Sequence, residues 1–264
     1  MTFQVRAHEF HFRAADSVYF PPLKAGNVFR GALWPAISDL TVSSAPRPSG
    51  LARPPQPFVL RVSHLDGKRI EAGDTFSIRM HLFDLHRPLI DGFIEAFSSW
   101  AEAGLGPGRA RVHLIASSQP GVETTIDLHP GAAAARCKVT FVTPTELKGM
   151  HDTSSIPFGV LFARIRDRIS TLRTLYGEGT IAIDFRGMAE RANLVATTAT
   201  ALSYCEVVRR SSRTSLVHGI GGLMGAASYA GEVTEFIPWL KAAWWTGVGR
   251  HTVWGNGLIE VSVD

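Results

Sequence analysis

The strongest constraint on the fold is the order of β-rich and helical stretches, which runs through the chain twice. In the first half, residues 3–13 alternate as a strand does, and Pro21-Pro22 then breaks the chain. Val28, Leu33, Ile37 and Leu40 recur at helical spacing over residues 25–40, with Asn27 as candidate N-cap and Pro35 as candidate kink. Five prolines between residues 43 and 57 mark a loop. Two β-rich runs follow, 58–65 and 75–85, separated by Asp66-Gly67 and Gly73-Asp74. Leu89, Ile90, Phe93, Phe97 and Trp100 then form a helical stripe, and residues 109–117 read as a strand, which completes the order βαββαβ.

The second half repeats that order. A strand begins at residues 137–142, and a helix over 155–176 carries the stripe Phe158, Leu161, Phe162, Ile165, Ile169 and Leu172. Strands over 193–208 and 223–233 come next, then a short helix over 234–246 with Thr234 as cap, and a last strand over 258–263. A β-rich run at 180–185 is one strand more than the repeat needs. Two such units, each packing helices on one face of an antiparallel sheet, predict an α+β chain of two tandem ferredoxin-like (RRM-like) domains, residues 1–134 and 135–264, with an interdomain cleft. The length of 264 residues agrees, at about 150 residues per domain.

Composition narrows the partners only a little. The net charge is +4, and dividing the chain at Ala134/Ala135 leaves 13 − 12 = +1 in the first part and 14 − 11 = +3 in the second, so neither part is strongly basic. Of the 27 basic residues only Lys24, Lys68, Lys138, Lys148 and Lys241 are lysines. Arginine offers a planar fork for phosphate, but a GC-rich genome would produce the same bias. Cys137 and Cys205 lie in no ligand or redox pattern. Residues 1–15 lack the apolar core of a signal peptide, and the longest uncharged stretch, 214–231, is too polar and glycine-broken to span a membrane, so a cytoplasmic protein is expected. No HExxH, P-loop or acidic triad points to a metal or nucleotide cofactor, and none is expected.

The densest motif lies near the C-terminus: Gly247-Val248-Gly249, then residues 250–254, then Gly255-Asn256-Gly257. Glycines at this spacing let backbone approach a ligand and turn amides toward a phosphate, with Arg250 and His251 adding charge and hydrogen bonding. The competing reading is a glycine-rich turn before the last strand.

This loop resembles the G-hydrophobic-G, five residues, G-x-G loop of CRISPR-associated RAMP endoribonucleases that process precursor crRNA. The likeness extends to residues 23–32 with Arg30-Gly31-Ala32, to residues 141–148 with Thr143-Pro144, to the helix through Arg168 and Leu172, and to residues 222–232. It implies metal-independent cleavage of CRISPR repeat RNA 3′ of its hairpin, by 2′-hydroxyl attack, to leave a 2′,3′-cyclic phosphate and a 5′-hydroxyl. It makes Lys148 a candidate contact to the scissile phosphate. His151, three residues on, is a candidate acid or base, and Tyr19 and Lys24 flank the turn before the first helix as further catalytic candidates. Lys148 and His151 read equally as solvated loop residues. Expected RNA contacts are Gly247, Gly249, Arg250, His251, Gly255, Gly257, Lys241 and Arg30, with Arg164 and Arg168 in reserve. Many relatives carry a catalytic histidine near the segment corresponding to Leu33-Trp34-Pro35-Ala36, and this chain has no histidine between His11 and His64. The alternative is therefore a non-catalytic subunit that binds the crRNA repeat in a CRISPR effector complex, where other subunits would be its partners.

Overall fold

The computed structural model describes residues 1–40, 54–87, 89–148, 154–210 and 216–263. The elements are β1 (Thr2–Ala14), β2 (Val18–Tyr19), α1 (Ala25–Ile37), β3 (Phe58–Arg61), β4 (Arg69–Ile70), β5 (Thr75–Leu82), α2 (Leu89–Ser98), α3 (Trp100–Ala103), β6 (Val112–Ser117) and β7 (Val122–Asp127). They continue with β8 (Arg136–Thr145), α4 (Phe158–Tyr176), α5 (Phe185–Asn193), β9 (Ala196–Cys205), β10 (Val208–Arg210), β11 (Val217–Gly219), β12 (Gly222–Ala230), α6 (Ile237–Thr246) and β13 (Ile259–Val263).

The first sheet runs β3-β5-β1-β6, with β7 also pairing β1, and the second runs β13-β8-β12-β9. All these pairs are antiparallel. Each sheet therefore reads fourth-first-third-second, the ferredoxin-like order, and the chain is the expected α+β tandem. Three expectations fail in detail. The β-rich run at 180–185 does not join a sheet: Ile181 is buried by packing, and Asp184 caps α5 by accepting from the Gly187 amide at 2.9 Å. Thr234 does not cap a helix, because its hydroxyl pairs with the Ala134 backbone instead. Asn27 does not cap α1, which starts two residues earlier; the Ala25 amide is satisfied by Asp66 Oδ1 at 2.8 Å.

Period-2 alternation divides the first sheet between two cores. Phe10, Phe12, Phe58, Leu60, Phe76, Ile78 and Met80 face α1 and α2 and form an aromatic core with Phe29, Phe93, Phe97 and Trp100. The opposite face supplies Phe3, Val5, Val59 and Phe83, and these belong to the core of the second half. The same face carries Arg61 and His81, both buried, toward the C-terminal end of α6. There Arg61 Nη2 donates to the Trp244 carbonyl, His81 Nδ1 meets the Trp245 carbonyl at 2.9 Å, and Arg168 Nε donates to the Thr246 carbonyl at 2.8 Å. Three carbonyls that the helix leaves without intrahelical partners thus receive one side-chain donor each, two of them from the other half. Burial pushes Arg61 down to about 9, with Arg168 nearby contributing, and pushes Arg168 down to about 10. Arg168, held in reserve above as an RNA contact, thus lies at the seam. No described helix is long and apolar enough to cross a membrane.

Candidate RNA-binding site

The chain leaves α6 at Gly247, where the glycine loop begins. Gly247, Gly249, Gly255 and Gly257 all have positive φ, and a Cβ at Gly249 or Gly257 would collide with the carbonyl oxygen of Glu146 or Val248. The loop spends its amides inward: Val248 donates to the Gly257 carbonyl, Arg250 to Glu146 and Gly257 to Pro144, each between 2.9 and 3.0 Å. The Thr143 hydroxyl donates to the Gly255 carbonyl and accepts from the Leu258 amide, both at 2.9 Å. The expectation of outward amides is corrected for those three. The glycines permit close packing on the end of β8, and the loop offers a ligand mainly side chains.

Those side chains close one wall of a small, partly open cavity between the two halves. His251, Trp254 and Asn256 come from the loop, Leu23, Gly26, Asn27 and Arg30 from the start of α1, and Arg209 and Ile220 from the β10–β11 hairpin. Contact between helix and loop is intimate, since a Cβ at Gly26 would overlap the Trp254 carbonyl oxygen. The Trp254 ring lies edge-on to Phe58 and Trp34, at 5.8 and 6.1 Å between centroids. Trp34 occupies the segment where the resemblance placed a histidine.

The lining contains two guanidinium groups, two carboxamides and an imidazole, and no carboxylate. Burial lowers the pKa of Arg30, and the Arg209 charge lowers it further. Arg209 Nε is enclosed without a partner among the described residues. Burial also lowers the His251 pKa; Glu146 opposes that shift, and Arg250, Arg30 and Arg209 add to it. A polar site of this sign is built for an anion with several acceptor oxygens.

The expected residues fall in different places. Arg30 and His251 meet in the cavity, and the four glycines shape the loop beside it. Arg250 pairs with Glu146 at 2.7 Å on the exposed side. Lys241 is exposed on α6, Lys148 is exposed with its carbonyl accepting from Arg164 Nη2 at 3.1 Å, and neither lines the cavity. Tyr19 is exposed on β2, and Lys24 sits at the N-cap of α1, next to the lining. His151 lies outside the described residues. Arg209, Asn27 and Asn256 are lining residues that the sequence reading missed. The Gly255-Asn256-Gly257 spacing was a signal for Asn256, but nothing in the sequence marks Arg209.

Residues 139–259 match the family model of CRISPR-associated endoribonuclease Cas6. That stretch is similar to Cas6 endoribonucleases. A second model, described as an N-terminal domain, matches residues 41–126. No curated protein matches the sequence. Among solved structures, the Thermus thermophilus Cas6 TTHB231 superposes with a TM-score of 0.61 at 16% identity, covering 99% of each chain. A product complex of the same protein gives 0.61 at 18% identity over 98% of this chain and 100% of the other. The product complex of a second Cas6, TTHA0078, gives 0.58 at 17% identity over 98% of this chain and 100% of the other. At these identities the likeness shows the fold alone, a tandem of ferredoxin-like units. The Cas6 model runs from β8 through the glycine loop to the start of β13, so it contains one wall of the cavity and the hairpin.

Proposed function

We propose that this chain is a CRISPR repeat-RNA processing endoribonuclease that cuts 3′ of the repeat hairpin without a metal ion. The 2′-hydroxyl attacks the adjacent phosphate, which yields a 2′,3′-cyclic phosphate and a 5′-hydroxyl. The observation that carries this reading is the cavity between α1 and the glycine loop, where Arg30 and Arg209 converge with no carboxylate in the lining. A phosphodiester passing through it would set its non-bridging oxygens against two guanidinium forks, which strengthen as negative charge develops in the transition state. The walls come from residues 23–30 and residues 209–256, so the division into domains 1–134 and 135–264 is part of the proposal: RNA binds where the two meet.

Incubating the purified protein with repeat RNA in EDTA tests this directly. Cleavage to a product with a 2′,3′-cyclic end is expected, and intact RNA refutes it. One observation favours a second reading, repeat binding without cleavage within an effector complex: the segment Leu33-Trp34-Pro35-Ala36, near which the resemblance placed a histidine, contains none. Tight, salt-sensitive binding with no product would establish that instead.

A further inference from the structure

The cavity lacks a helix-borne imidazole, yet cleavage by 2′-hydroxyl attack needs a group to take the 2′ proton. Among the side chains that line it, His251 is the one that titrates near neutrality. Its backbone is also unusual. His251 has φ 59° and ψ 17°, the left-handed region, and caps the short 3-10 turn Thr252–Trp254. Only three non-glycine residues among those described have positive φ, and two of them, Leu23 and His251, line this cavity. Holding a side chain there strains the backbone, and such strain is characteristic of functional sites. The neighbouring loop positions that share this conformation are glycines, so a histidine is retained where glycine would be easier. The His251 ring has no hydrogen-bond partner among the described residues, which leaves its acceptor nitrogen available.

We propose that His251 is the general base of the cleavage reaction, an inference that rests on the endonuclease reading above. The imidazole takes the proton from O2′ as the O2′–P bond forms. The P–O5′ bond breaks, and the departing oxygen takes a proton from water. The imidazolium then returns its proton to solvent, so no water is consumed. Arg30 and Arg209 hold the phosphate oxygens through the step. The charged groups around the ring are Arg250 and Glu146 beside the loop, Arg30 on α1 and Arg209 on β10. Burial, the largest influence on the ring, acts with the three arginines against Glu146, which Arg250 already engages, so the ring is neutral at physiological pH, the form that accepts a proton.

The test compares single-turnover cleavage by the wild type, His251→Gly and His251→Asn. Both replacements accept left-handed backbone, so folding is retained. The proposal expects a loss of roughly 10²–10⁴-fold in the rate at saturating repeat RNA, and partial rescue of His251→Gly by added imidazole. The wild-type rate should rise with pH to a plateau, with its midpoint below about 6.5, and this limb should vanish in the variants. Wild-type rates in both variants overturn the assignment while leaving the nuclease reading intact. So does a slow His251→Gly that ignores imidazole and keeps the wild-type pH profile. Intact RNA with the wild-type protein removes both readings together.

Discussion

Gly26 and Gly31 sit in the same helix, and the structure gives their alanine substitutions opposite signs. In a helix interior, replacing glycine with alanine gains about 1 kcal/mol from propensity alone. At Gly31 a Cβ meets nothing within 4 Å, so the full gain should appear. With roughly 2–4 °C per kcal/mol for a chain near this size, Gly31→Ala should raise Tm by about 2–4 °C. At Gly26 the same methyl would overlap the Trp254 carbonyl oxygen, and the obstacle is backbone, not the end of a flexible side chain. The loop cannot easily yield, because Trp254 is followed by Gly255 and Gly257, tied to Thr143 and Pro144. Overpacking typically costs about 1–3 kcal/mol, and a fixed backbone puts this case at the upper end. Setting about 3 against the gain of about 1 leaves a loss of about 2 kcal/mol, or a fall of roughly 4–8 °C in Tm. Since Gly26 and Trp254 both line the cavity, moving helix from loop should also weaken repeat-RNA binding. Paired thermal unfolding curves decide the matter. If Gly26→Ala is as stable as Gly31→Ala, the close approach of α1 to the loop is wrong, and with it the cavity.

Two further outcomes follow from charge. Arg30→Ala and Arg209→Ala should each lower the slope of log Kd against log salt by about 0.7–0.9, the share of one phosphate contact. Arg186→Ala, a highly exposed arginine paired with Glu190 on α5, should leave that slope unchanged; equal effects from all three would remove the cavity as the phosphate site. His81 is fully buried, and burial, with Arg61 and Arg79 adding to it, pushes its pKa down to about 3 against the opposing hydrogen bond to Trp245. Its folded pKa lies below the unfolded value near 6.5, so the stability it permits is complete above 6.5 and is lost as pH falls toward 3. About 2 kcal/mol should disappear between pH 6.5 and 5, at 1.36 kcal/mol per unit. In urea titrations His81→Gln, which keeps a donor for the Trp245 carbonyl, should flatten that decline; an unchanged slope would place the titration elsewhere.

What the sequence revealed depended on whether its signal was local. The stripe from Phe158 to Leu172 buries one side of a single helix, so its spacing is visible without knowing what covers it, and the helix ends at Tyr176 as the pattern does. The run at 180–185 alternates like a strand, but an alternating segment becomes one only if an edge is free to pair with it. Here Ile181 finds burial without a ladder, and Asp184 starts α5. Glycines announced the loop because each occupies backbone that a side chain resists. They did not announce which way the amides face, which β8 decides from a hundred residues away. Arg168 stood in reserve as an RNA contact, and only the end of α6, whose Thr246 carbonyl takes its Nε–H, gives that side chain its place in the fold. Arg209 carried no signal, since a cation in a short hairpin gains meaning only from Arg30 and His251 across the cavity.

The two fold repeats are therefore unequal partners in one site. α1 presents Gly26, Asn27 and Arg30 from the first half, whereas His251, Trp254, Asn256 and Arg209 come from the second. The distance between these walls is fixed where Arg61 and His81 of the first half grip the last carbonyls of α6, because the glycine loop starts at the next residue, Gly247. A shift of that helix end along the seam would carry His251 and Asn256 with it relative to Arg30. The buried cations look costly as stability elements, with Nε and Nη1 of Arg61 left enclosed and unpaired among the described residues. They make better sense as positioning elements: donors strong enough to hold a helix terminus in one place, spent where a small displacement would open the cavity.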